Sequence, residues 1–381
     1  MQNPLPEIQS FIDHHDYSLA VRRMLDTALD SGNASILKQA IVWSKSYHKS
    51  RRAGSEAALP ESFHSEASAL LSRLGKESHT HTYTQHTLVN ADNISKTYSR
   101  GNFSLKPISL KINTGDILGI VGQNGNGKTT LLRCLAGQLS LDGGQLQFDH
   151  LTIADHYSIK QQVAFIPQRI PKWYGLLKDN LHFSASVTGV TDRENDSMVD
   201  FMLERLDLSD YADLTWNQIS SGYRTRFELA RVLLQKPRLL ILDEPLANLD
   251  ISAQQTILTD LRYIAKLAHN PMGVILSSQQ LHEVENIADT VLFIKEGTCL
   301  FRTGDEAAIP ASQVIELETP AGREAIINAI GEQEISLQFN GGFYTITSSS
   351  LTAQEIINRL ISRNITVSYF RDITHSTKRF F

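Results

Sequence analysis

The amino-acid sequence predicts an α/β fold, with a helical region before it and a small α+β region after it. Short β-rich runs alternate with helical patterns from residue 88 to residue 304, as in folds whose strands are connected by helices. Several runs are wholly apolar, including Ile117–Val121 and Leu239–Leu242, which is typical of a parallel sheet buried on both faces. A glycine-rich loop at residues 122–127 stands directly between an apolar run and a helical one. These observations put a parallel sheet at the centre of the predicted fold.

The first region, residues 1–77, is predicted to form a helical domain. It contains few glycines and prolines, and its apolar residues recur at helical spacing, as at Leu25 and Ala28. Helix breakers near residues 31–33 and 50–60 divide it into several short helices. Nothing in these residues indicates a function.

Residues 78–87 are predicted to form a linker. The segment holds His79, His81 and His86, a set that could suggest a metal site. Three histidines without a nearby group of cysteines or carboxylates make a poor zinc signature, so solvated linker residues are the better interpretation.

The central region, residues 88–308, is predicted to carry the parallel sheet. Its strand-like runs are residues 117–121, 163–166, 239–242, 273–276 and 291–294. The last region, residues 309–381, follows the order β-α-β-β-α-β, which predicts a small ferredoxin-like α+β domain whose final strand covers residues 365–369. Thr352 and Glu355 form a capping box that marks the start of its second helix.

Composition and charge narrow the possible functions. The formal net charge of −5, spread over 381 residues, provides no overall field to attract nucleic acid, so nucleic acid is not a predicted partner. The two cysteines, Cys134 and Cys299, are far apart in the sequence, which fits a reducing, cytoplasmic compartment. The first residues lack the pattern of a secretory signal, and no apolar run approaches the roughly 20 residues that span a bilayer. A membrane role would therefore require a separate membrane-spanning chain.

The glycine-rich loop matches the pattern G-x-x-x-x-G-K-[ST] and predicts an ATP-binding site. Glycines allow backbone N–H groups to turn toward phosphate oxygens, and the helix that follows adds positive potential at its N-terminus. Lys128 is expected to reach the β- and γ-phosphates, and Thr129 to offer its hydroxyl to Mg²⁺. The residues expected to bind ATP here are Gly122, Gln123, Asn124, Gly125, Asn126, Gly127, Lys128, Thr129 and Thr130.

Two adjacent carboxylates, Asp243 and Glu244, follow the apolar run Leu239–Leu242. Carboxylates in such a position are often ordinary loop residues or helix caps, but a phosphate loop in the same chain supports a catalytic interpretation. Asp243 would bind Mg²⁺ directly or through water, and Glu244 would polarise the water that attacks the γ-phosphate. The pair therefore predicts ATP hydrolysis with Glu244 as the base.

With these motifs in place, residues 88–304 resemble the nucleotide-binding subunits of ABC transporters, because several motifs occur in that family's order. The resemblance implies a P-loop NTPase fold of the ABC ATPase type. It also implies that Tyr98 stacks on the adenine ring of ATP. Gln168 matches the family's glutamine that contacts Mg²⁺ and the attacking water and senses the membrane subunit.

The family's signature, usually Leu-Ser-Gly-Gly-Gln, is altered here to Ile-Ser-Ser-Gly-Tyr at residues 219–223. Ser220, Ser221 and Gly222 keep a hydroxyl and a glycine before a helix, so contact with a γ-phosphate remains physically reasonable. In the family this loop serves the ATP held by a second subunit, so the resemblance implies a dimer, here a homodimer. Asp250 belongs to the segment that resembles the family's dimer-bridging loop, and it is expected to contribute to the same ATP site.

One position departs from the family. The frame Ser-Ser-His-x-Leu-x-Glu usually supplies a histidine that contacts the γ-phosphate, and Gln279 stands at that position here. A glutamine donates a hydrogen bond but carries no proton or positive charge, so we expect weaker stabilisation of the transition state. The predicted catalytic residues are thus Lys128, Glu244 and Gln279, and hydrolysis is predicted to be slow.

The segment after Gln168 contains Trp173 and Tyr174, at the place where the family docks the coupling helix of its membrane subunit. Two interpretations remain open for these aromatic residues. They either form an interface with a polytopic permease or pack inside the helical subdomain.

These features predict an ATP-hydrolysing subunit that lies peripherally on the inner face of a membrane through a separately encoded permease. The small C-terminal domain resembles the appendage of exporter-type subunits, so export is the predicted direction. One alternative is a soluble ABC-type ATPase of translation, chromosome or repair machinery. The single phosphate loop and the ordinary α/β sequence between the motifs argue against that class. A second alternative, a regulator that binds ATP with little turnover, is favoured by Gln279 and the altered signature.

Overall fold

The chain divides into two units, Met1–Leu300 and Phe301–Phe381, in a computed structural model. The residues described are 4–52, 59, 62–77, 85–99, 103–148, 151–152, 159, 161–247, 249–267, 270–303, 312–331 and 333–374. The helical region predicted as a separate domain is therefore part of the first unit, together with the central region. His79 and His81 of the predicted linker lie outside the described residues, whereas His86 contacts the side chains of Thr114 and Arg238.

Four helices begin the first unit. They are α1 (Pro4–Asp13), α2 (Tyr17–Asp30), α3 (Ala34–Arg52) and α4 (Ser62–Glu77). Asp16 caps α2 by accepting a hydrogen bond from the backbone N–H of Leu19 at 3.2 Å. Trp43 and Phe63 stack with ring centroids 4.7 Å apart, and the indole N–H of Trp43 donates to the Phe63 carbonyl. An aromatic core thus holds these helices together, and the sequence-based prediction of several short helices is confirmed.

Two sheets follow. The antiparallel sheet, in the order β2-β1-β4-β5, consists of β1 (Thr87–Thr97), β2 (Ser104–Asn113), β4 (Gly143–Phe148) and β5 (Leu151–Thr152). The second sheet, in the order β10-β9-β3-β8-β7-β6, consists of β3 (Ile117–Val121), β6 (Val163–Ile166), β7 (Leu239–Leu242), β8 (Gly273–Ser278), β9 (Thr290–Lys295) and β10 (Thr298–Arg302). The pairs that join β6, β7, β8, β3 and β9 are parallel, which confirms the predicted α/β class.

Helices connect and flank these strands. They are α5 (Lys128–Leu135), α6 (Leu177–Val187), α7 (Asp192–Arg205), α8 (Ser221–Leu233), α9 (Ile251–Ala265) and α10 (Leu281–Glu285). None of the helices among the described residues is both long and apolar enough to cross a membrane.

The register of the parallel sheet brings the predicted site together. Ile166 at the end of β6 pairs with Leu242 at the end of β7, and Leu242 pairs with Leu276 on β8. Leu276 in turn pairs with Gly119 on β3. Because the carboxyl ends of parallel strands lie at one edge of the sheet, the residues that follow β3, β6, β7 and β8 meet there.

A buried ionic cluster fastens the N-terminal helices to the central region. Arg205 at the end of α7 donates to Asp26 of α2 at 2.6 and 3.0 Å and to Asp260 of α9 at 2.5 Å. Arg22 of α2 donates to both oxygens of Asp260, at 2.6 and 2.7 Å. All four side chains are at most 7% exposed. Two arginines and two aspartates therefore neutralise one another where water is excluded.

The cluster also controls ionisation. Burial alone would raise the pKa of the Asp260 carboxyl, but the charges and hydrogen bonds of Arg22 and Arg205 hold that pKa below its ordinary value. A second anchor lies nearby, where Ser44 of α3 donates to Glu204 at 2.8 Å and Arg51 of α3 pairs with Asp207 at 2.5 Å. The N-terminal helices are thus tied to the central region by polar contacts as well as by apolar packing.

The second unit has the predicted ferredoxin-like topology. Its elements are β11 (Gln313–Glu318), α11 (Arg323–Ile330), β12 (Ser336–Asn340), β13 (Phe343–Ser348), α12 (Ala353–Ser362) and β14 (Tyr369–Asp372). The sheet order is β12-β13-β11-β14 with antiparallel pairs, and the predicted capping box of Thr352 and Glu355 begins α12. The final strand is present, but its predicted bounds, residues 365–369, lie too early, since β14 begins at Tyr369. Asn364 turns into the left-handed region (φ 57°) and the N–H of Ile365 bonds to the carbonyl of Leu360, so these two residues close the end of α12 instead.

Replacing Asp260 with asparagine should lower the free energy of unfolding by about 3–5 kcal/mol, because two buried arginines lose their shared countercharge. Urea unfolding of the full chain would measure the change. The pKa of Asp260 is lower in the folded protein than in the unfolded chain. Its contribution to the free energy of unfolding is therefore complete above the unfolded pKa near 3.9, and this contribution is lost as the pH falls through the folded pKa.

The matched control for this change is Asp200→Asn. Asp200 pairs with Lys45 at 2.7 Å, but both side chains are nearly half exposed, so the loss should stay below about 1 kcal/mol. Equal effects of the two substitutions would mean that the cluster does not anchor the helices.

Candidate functional site

The phosphate loop joins the end of β3 to the start of α5 and has the backbone geometry that the sequence predicts. Gly125 and Gly127 adopt φ angles of 81° and 100°, a region that side chains with a Cβ rarely occupy. A Cβ on Gly122 would lie 2.3 Å from the carbonyl oxygen of Ile294, so only glycine fits there. Asn126 braces the loop, since its side-chain oxygen accepts from the backbone N–H of Glu296 at 3.0 Å.

Lys128 lies under this loop and is only 4% exposed. Its ammonium donates to the carbonyl oxygens of Gly122 at 2.7 Å and Gln123 at 3.3 Å, and it lies 3.0 Å from a carboxylate oxygen of Glu244. A buried ammonium needs such partners. The three N–H groups of the ammonium can also donate to phosphate oxygens, which is the role that the sequence predicts.

Asp243 is held by two hydroxyls and is 4% exposed. Thr129 donates to Oδ2 at 2.8 Å, and Ser277 donates to Oδ1 at 2.9 Å. Ser277 also accepts the backbone N–H of Glu244 at 2.9 Å. Ser277 thus orients both carboxylate residues, a role that the sequence analysis missed. Its position as a polar residue near the end of the apolar strand β8, next to β7, is the signal that could have revealed it.

Glu244 is the point at which the predicted catalytic residues meet. The side-chain amides of Gln168 and Gln279 both donate to Oε2 at 2.8 Å, and the Lys128 ammonium faces Oε1. The backbone of Glu244 has φ 47°, a strained value for a residue other than glycine, which costs about 1–3 kcal/mol. The Ser277 hydroxyl on its N–H helps to hold this conformation. Three side chains therefore hold the carboxylate, and a fourth holds the backbone of the same residue.

Tyr98 and Thr130 lie together beside the start of α5. The Tyr98 hydroxyl is 3.4 Å from the Thr130 hydroxyl, and the ring is 37% exposed. Phe103 lies next to Tyr98, with ring centroids 6.4 Å apart, and it also approaches Gly127. The sequence analysis did not single out Phe103. An exposed aromatic ring at this position offers a flat surface for a base, consistent with the stacking predicted for Tyr98.

The donor set suits Mg²⁺ bound together with phosphates. Thr129, Gln168 and Asp243 offer a hydroxyl, an amide oxygen and a carboxylate, the oxygen ligands that Mg²⁺ prefers. No group of three or more His, Cys, Asp or Glu side chains suited to a metal occurs among the described residues. A site with one carboxylate fits an ion that takes most of its ligands from water and from substrate phosphates.

The altered signature and the segment around Asp250 lie next to each other. Ser220 stands at the N-cap of α8, and Asp250 caps α9 by accepting the N–H of Ala253 at 2.8 Å. A Cβ on Gly222 would meet Leu249 and Ala253 only at ordinary distances of 3.6 and 3.8 Å. The fold of this chain therefore does not itself require glycine at position 222. Ser221 is the first residue of α8, and Asn248 lies outside the described residues.

Tyr223 replaces the last residue of the usual signature. Its ring centroid is 3.9 Å from that of Tyr211, and Arg226 lies over its ring. Burial and a hydrogen bond with Tyr211 raise the pKa of Tyr223 to about 12. Tyr223 is thus packed into the helical part of the unit, a contact that the sequence did not indicate.

Trp173 and Tyr174 have different environments, and only Trp173 packs inside the helical subdomain. Trp173 is buried, stacks on Trp216 with centroids 5.1 Å apart, and donates to Glu228 at 3.1 Å. Tyr174 is 81% exposed. It lies with Phe183 and Val187, one turn apart on α6, along a groove of about 520 Å³. Exposed apolar side chains gathered at a groove mark a contact surface.

Comparisons with known proteins agree with this geometry. Residues 105–247 match the family model described as ABC transporter. The sulfate/thiosulfate import ATP-binding protein CysA of Neisseria meningitidis is 33% identical over 233 residues, which are 58% of this chain and 62% of that protein. The chain thus spans less than two thirds of that relative. The uncharacterized ABC transporter ATP-binding protein YxlF of Bacillus subtilis is 30% identical over 212 residues, 55% of this chain and 68% of that protein.

A solved structure has a similar fold. The cbiO1 protein of Clostridium perfringens, described as part of the ABC transporter complex cbiONQ, aligns with a TM-score of 0.53 and 26% identity. The alignment covers 57% of this chain and 88% of that one.

Proposed function

The chain belongs to the family of ABC transporter ATP-binding proteins, and we propose that it hydrolyses ATP as a dimer and drives a separately encoded membrane permease. The observation that carries the proposal is the convergence of Lys128, Gln168 and Gln279 on the carboxylate of Glu244, beside Asp243 and Thr129. A carboxylate oriented by donors, next to a loop built for phosphates, is suited to directing water onto a γ-phosphate.

The proposed reaction uses groups that the fold already holds. Glu244 accepts a proton from water, the water oxygen bonds to the γ-phosphorus, and the bond between that phosphorus and the bridging oxygen of ADP breaks. Lys128 and the loop N–H groups stabilise the charge on the phosphate oxygens. Mg²⁺, held by Thr129, Asp243 and Gln168, would neutralise charge on the β- and γ-phosphates. Tyr98 would stack on adenine.

Gln279 is proposed to keep the reaction slow. Its amide holds Glu244 through a 2.8 Å hydrogen bond, but an uncharged amide stabilises negative charge on the γ-phosphate less than an imidazolium would. Gln279 thus still positions Glu244 as the base, but it stabilises the charge that develops on the γ-phosphate less strongly.

Dimerisation is proposed from the signature. Since the chain's own packing leaves room for a side chain at position 222, the close approach that glycine allows would serve a second molecule. Ser220, Ser221 and Asp250 would then act on the ATP bound by the partner subunit. A homodimer is the simplest form of this arrangement.

The groove at Tyr174, Phe183 and Val187 is the proposed docking surface for the permease, which would hold the chain at the cytoplasmic face of the membrane. The proposed direction of transport, export, rests on the small C-terminal α+β unit. CysA, a relative named for import, is 33% identical over 58% of this chain, so likeness to the family does not distinguish the two directions.

The substitution Glu244→Gln tests the proposal directly. It should retain ATP binding and lower turnover by about 10²–10⁴-fold, because the amide cannot accept the proton. Phosphate release and equilibrium binding of ATP would be measured on the same preparation. ATP should also convert this variant to a dimer in light scattering, and adding Gly222→Val should prevent the dimer. Unchanged turnover would remove Glu244 from the role of base.

Gln279→His should raise turnover, on the order of tenfold, because a protonated imidazole adds a charged donor near the γ-phosphate. The matched control is Gln280→His, which places the same residue on the adjacent exposed position. A rate that stays the same or falls in Gln279→His would show that this glutamine does not limit catalysis.

Phe183→Asp should abolish co-purification with a polytopic membrane protein under mild detergent while leaving ATP binding intact, because a charge is placed on the apolar groove. Val42→Asp is the matched control, since Val42 is also exposed but lies on α3. Retention of the partner by Phe183→Asp would exclude this groove as the docking surface. Trp173 is unsuitable for the test because it is buried.

A further inference from the structure

A second cavity, of about 540 Å³, lies between the N-terminal helices and the central region. One wall comes from the end of α2 and the start of α3, and the other walls come from α7 and from the ends of α8 and α9. All of its lining residues belong to the first unit. The phosphate loop, Glu244 and the apolar groove at Phe183 contribute nothing to it, so it is separate from the proposed machinery.

The interior of the cavity is lined mainly by buried apolar side chains. Phe201, Met202, Leu233 and Ile264 line it and are at most 7% exposed. Among the described lining residues, the only deep charged groups are Asp26 and Arg205, which satisfy each other within the ionic cluster. A volume of this size falls within the range of roughly 300–1,000 Å³ that is usual for small-molecule sites.

The rim of the cavity carries charge. Arg193 and Lys236 are exposed lining residues on α7 and just after α8, and Glu194 is a third charged one. No carboxylate of the described residues lies within salt-bridge distance of either cation. Two cations against one carboxylate leave the mouth positive, and the cations retain their capacity to bind an anion.

We propose that this cavity binds a single-chain amphiphile with an anionic headgroup. The alkyl chain would lie along Met202, Leu233 and Ile264, and the headgroup would bind Arg193 and Lys236 at the mouth. Apolar walls exclude a polar metabolite, because its polar groups would be left without partners inside. The positive mouth selects a carboxylate, sulfate or phosphate head over a neutral or cationic one.

Binding there would strengthen the attachment of the N-terminal helices to the central region. The occupant would touch α2 and α3 on one side and α7 and α9 on the other, and it would shield the Asp26–Arg205 pair from water. A ligand that bridges these elements stabilises the folded unit by an amount that grows with the logarithm of its concentration above its Kd.

The test uses the full chain and three probes with the same twelve-carbon tail: dodecanoate, dodecanol and dodecyltrimethylammonium, each below its critical micelle concentration. Isothermal titration and thermal unfolding would be measured for each. We expect saturable binding of dodecanoate near one equivalent with a rise in Tm, binding of dodecanol at least tenfold weaker, and no saturable binding of the ammonium. Equal binding of all three probes, or no saturable binding of dodecanoate, would overturn the proposal.

Two sets of variants locate the site. The charge reversals Arg193→Glu and Lys236→Glu together should weaken dodecanoate at least tenfold and leave dodecanol unchanged, whereas Lys38→Glu, an exposed cation of α3 outside the cavity, should change neither. Ser197→Trp and Ala34→Trp fill the cavity from two opposite walls at exposed positions, and either should abolish binding. Wild-type affinity in a folded filling variant, or in the double reversal, would place the amphiphile elsewhere and overturn the proposal. None of these readouts depends on ATP hydrolysis.

Discussion

The parallel register of the central sheet is the constraint on which the rest of the site depends. Four strands end at one edge because Ile166, Leu242, Leu276 and Gly119 are paired across the sheet. The phosphate loop and Glu244 would not meet without that alignment, since they are more than a hundred residues apart in the chain. The apolar strands supply the energy that holds the edge together, and the polar residues just beyond them are the ones proposed to perform the chemistry.

At that edge, hydrogen bonds decide how each charge is used. Asp243 receives two hydroxyls and stays directed toward the loop, whereas Glu244 receives two amides and faces an ammonium. Two adjacent carboxylates thus have different surroundings, which is how one strand end can provide a metal ligand and a base. The backbone of Glu244 has a strained φ of 47°, and Ser277 links the two residues through the N–H of Glu244 and the carboxylate of Asp243.

The sequence was sufficient for those parts of the fold and site that local patterns encode. The phosphate loop, the strand before Asp243 and the capping box of Thr352 each lie within a short stretch, so spacing alone reveals them. Contacts between distant residues were beyond reach. Arg22 and Asp260 are 238 positions apart in the sequence, and Arg205 and Asp26 are 179 apart. No local sequence pattern around any of these residues indicates its partner. Trp173 and Tyr174 are neighbours in sequence, yet packing against Trp216 buries only the first.

The ionic cluster also limits how this chain could have been assembled over evolutionary time. A helical segment joined only by a linker can be gained, lost or exchanged between proteins with little effect on its neighbour. Here the N-terminal helices supply half of a charge-neutral set whose other half, Arg205 and Asp260, lies inside the nucleotide-binding region. In the absence of α2, this buried arginine and this buried aspartate would each lose an oppositely charged partner. The helices and the surface of α7 and α9 are therefore expected to be inherited together, as one module rather than two.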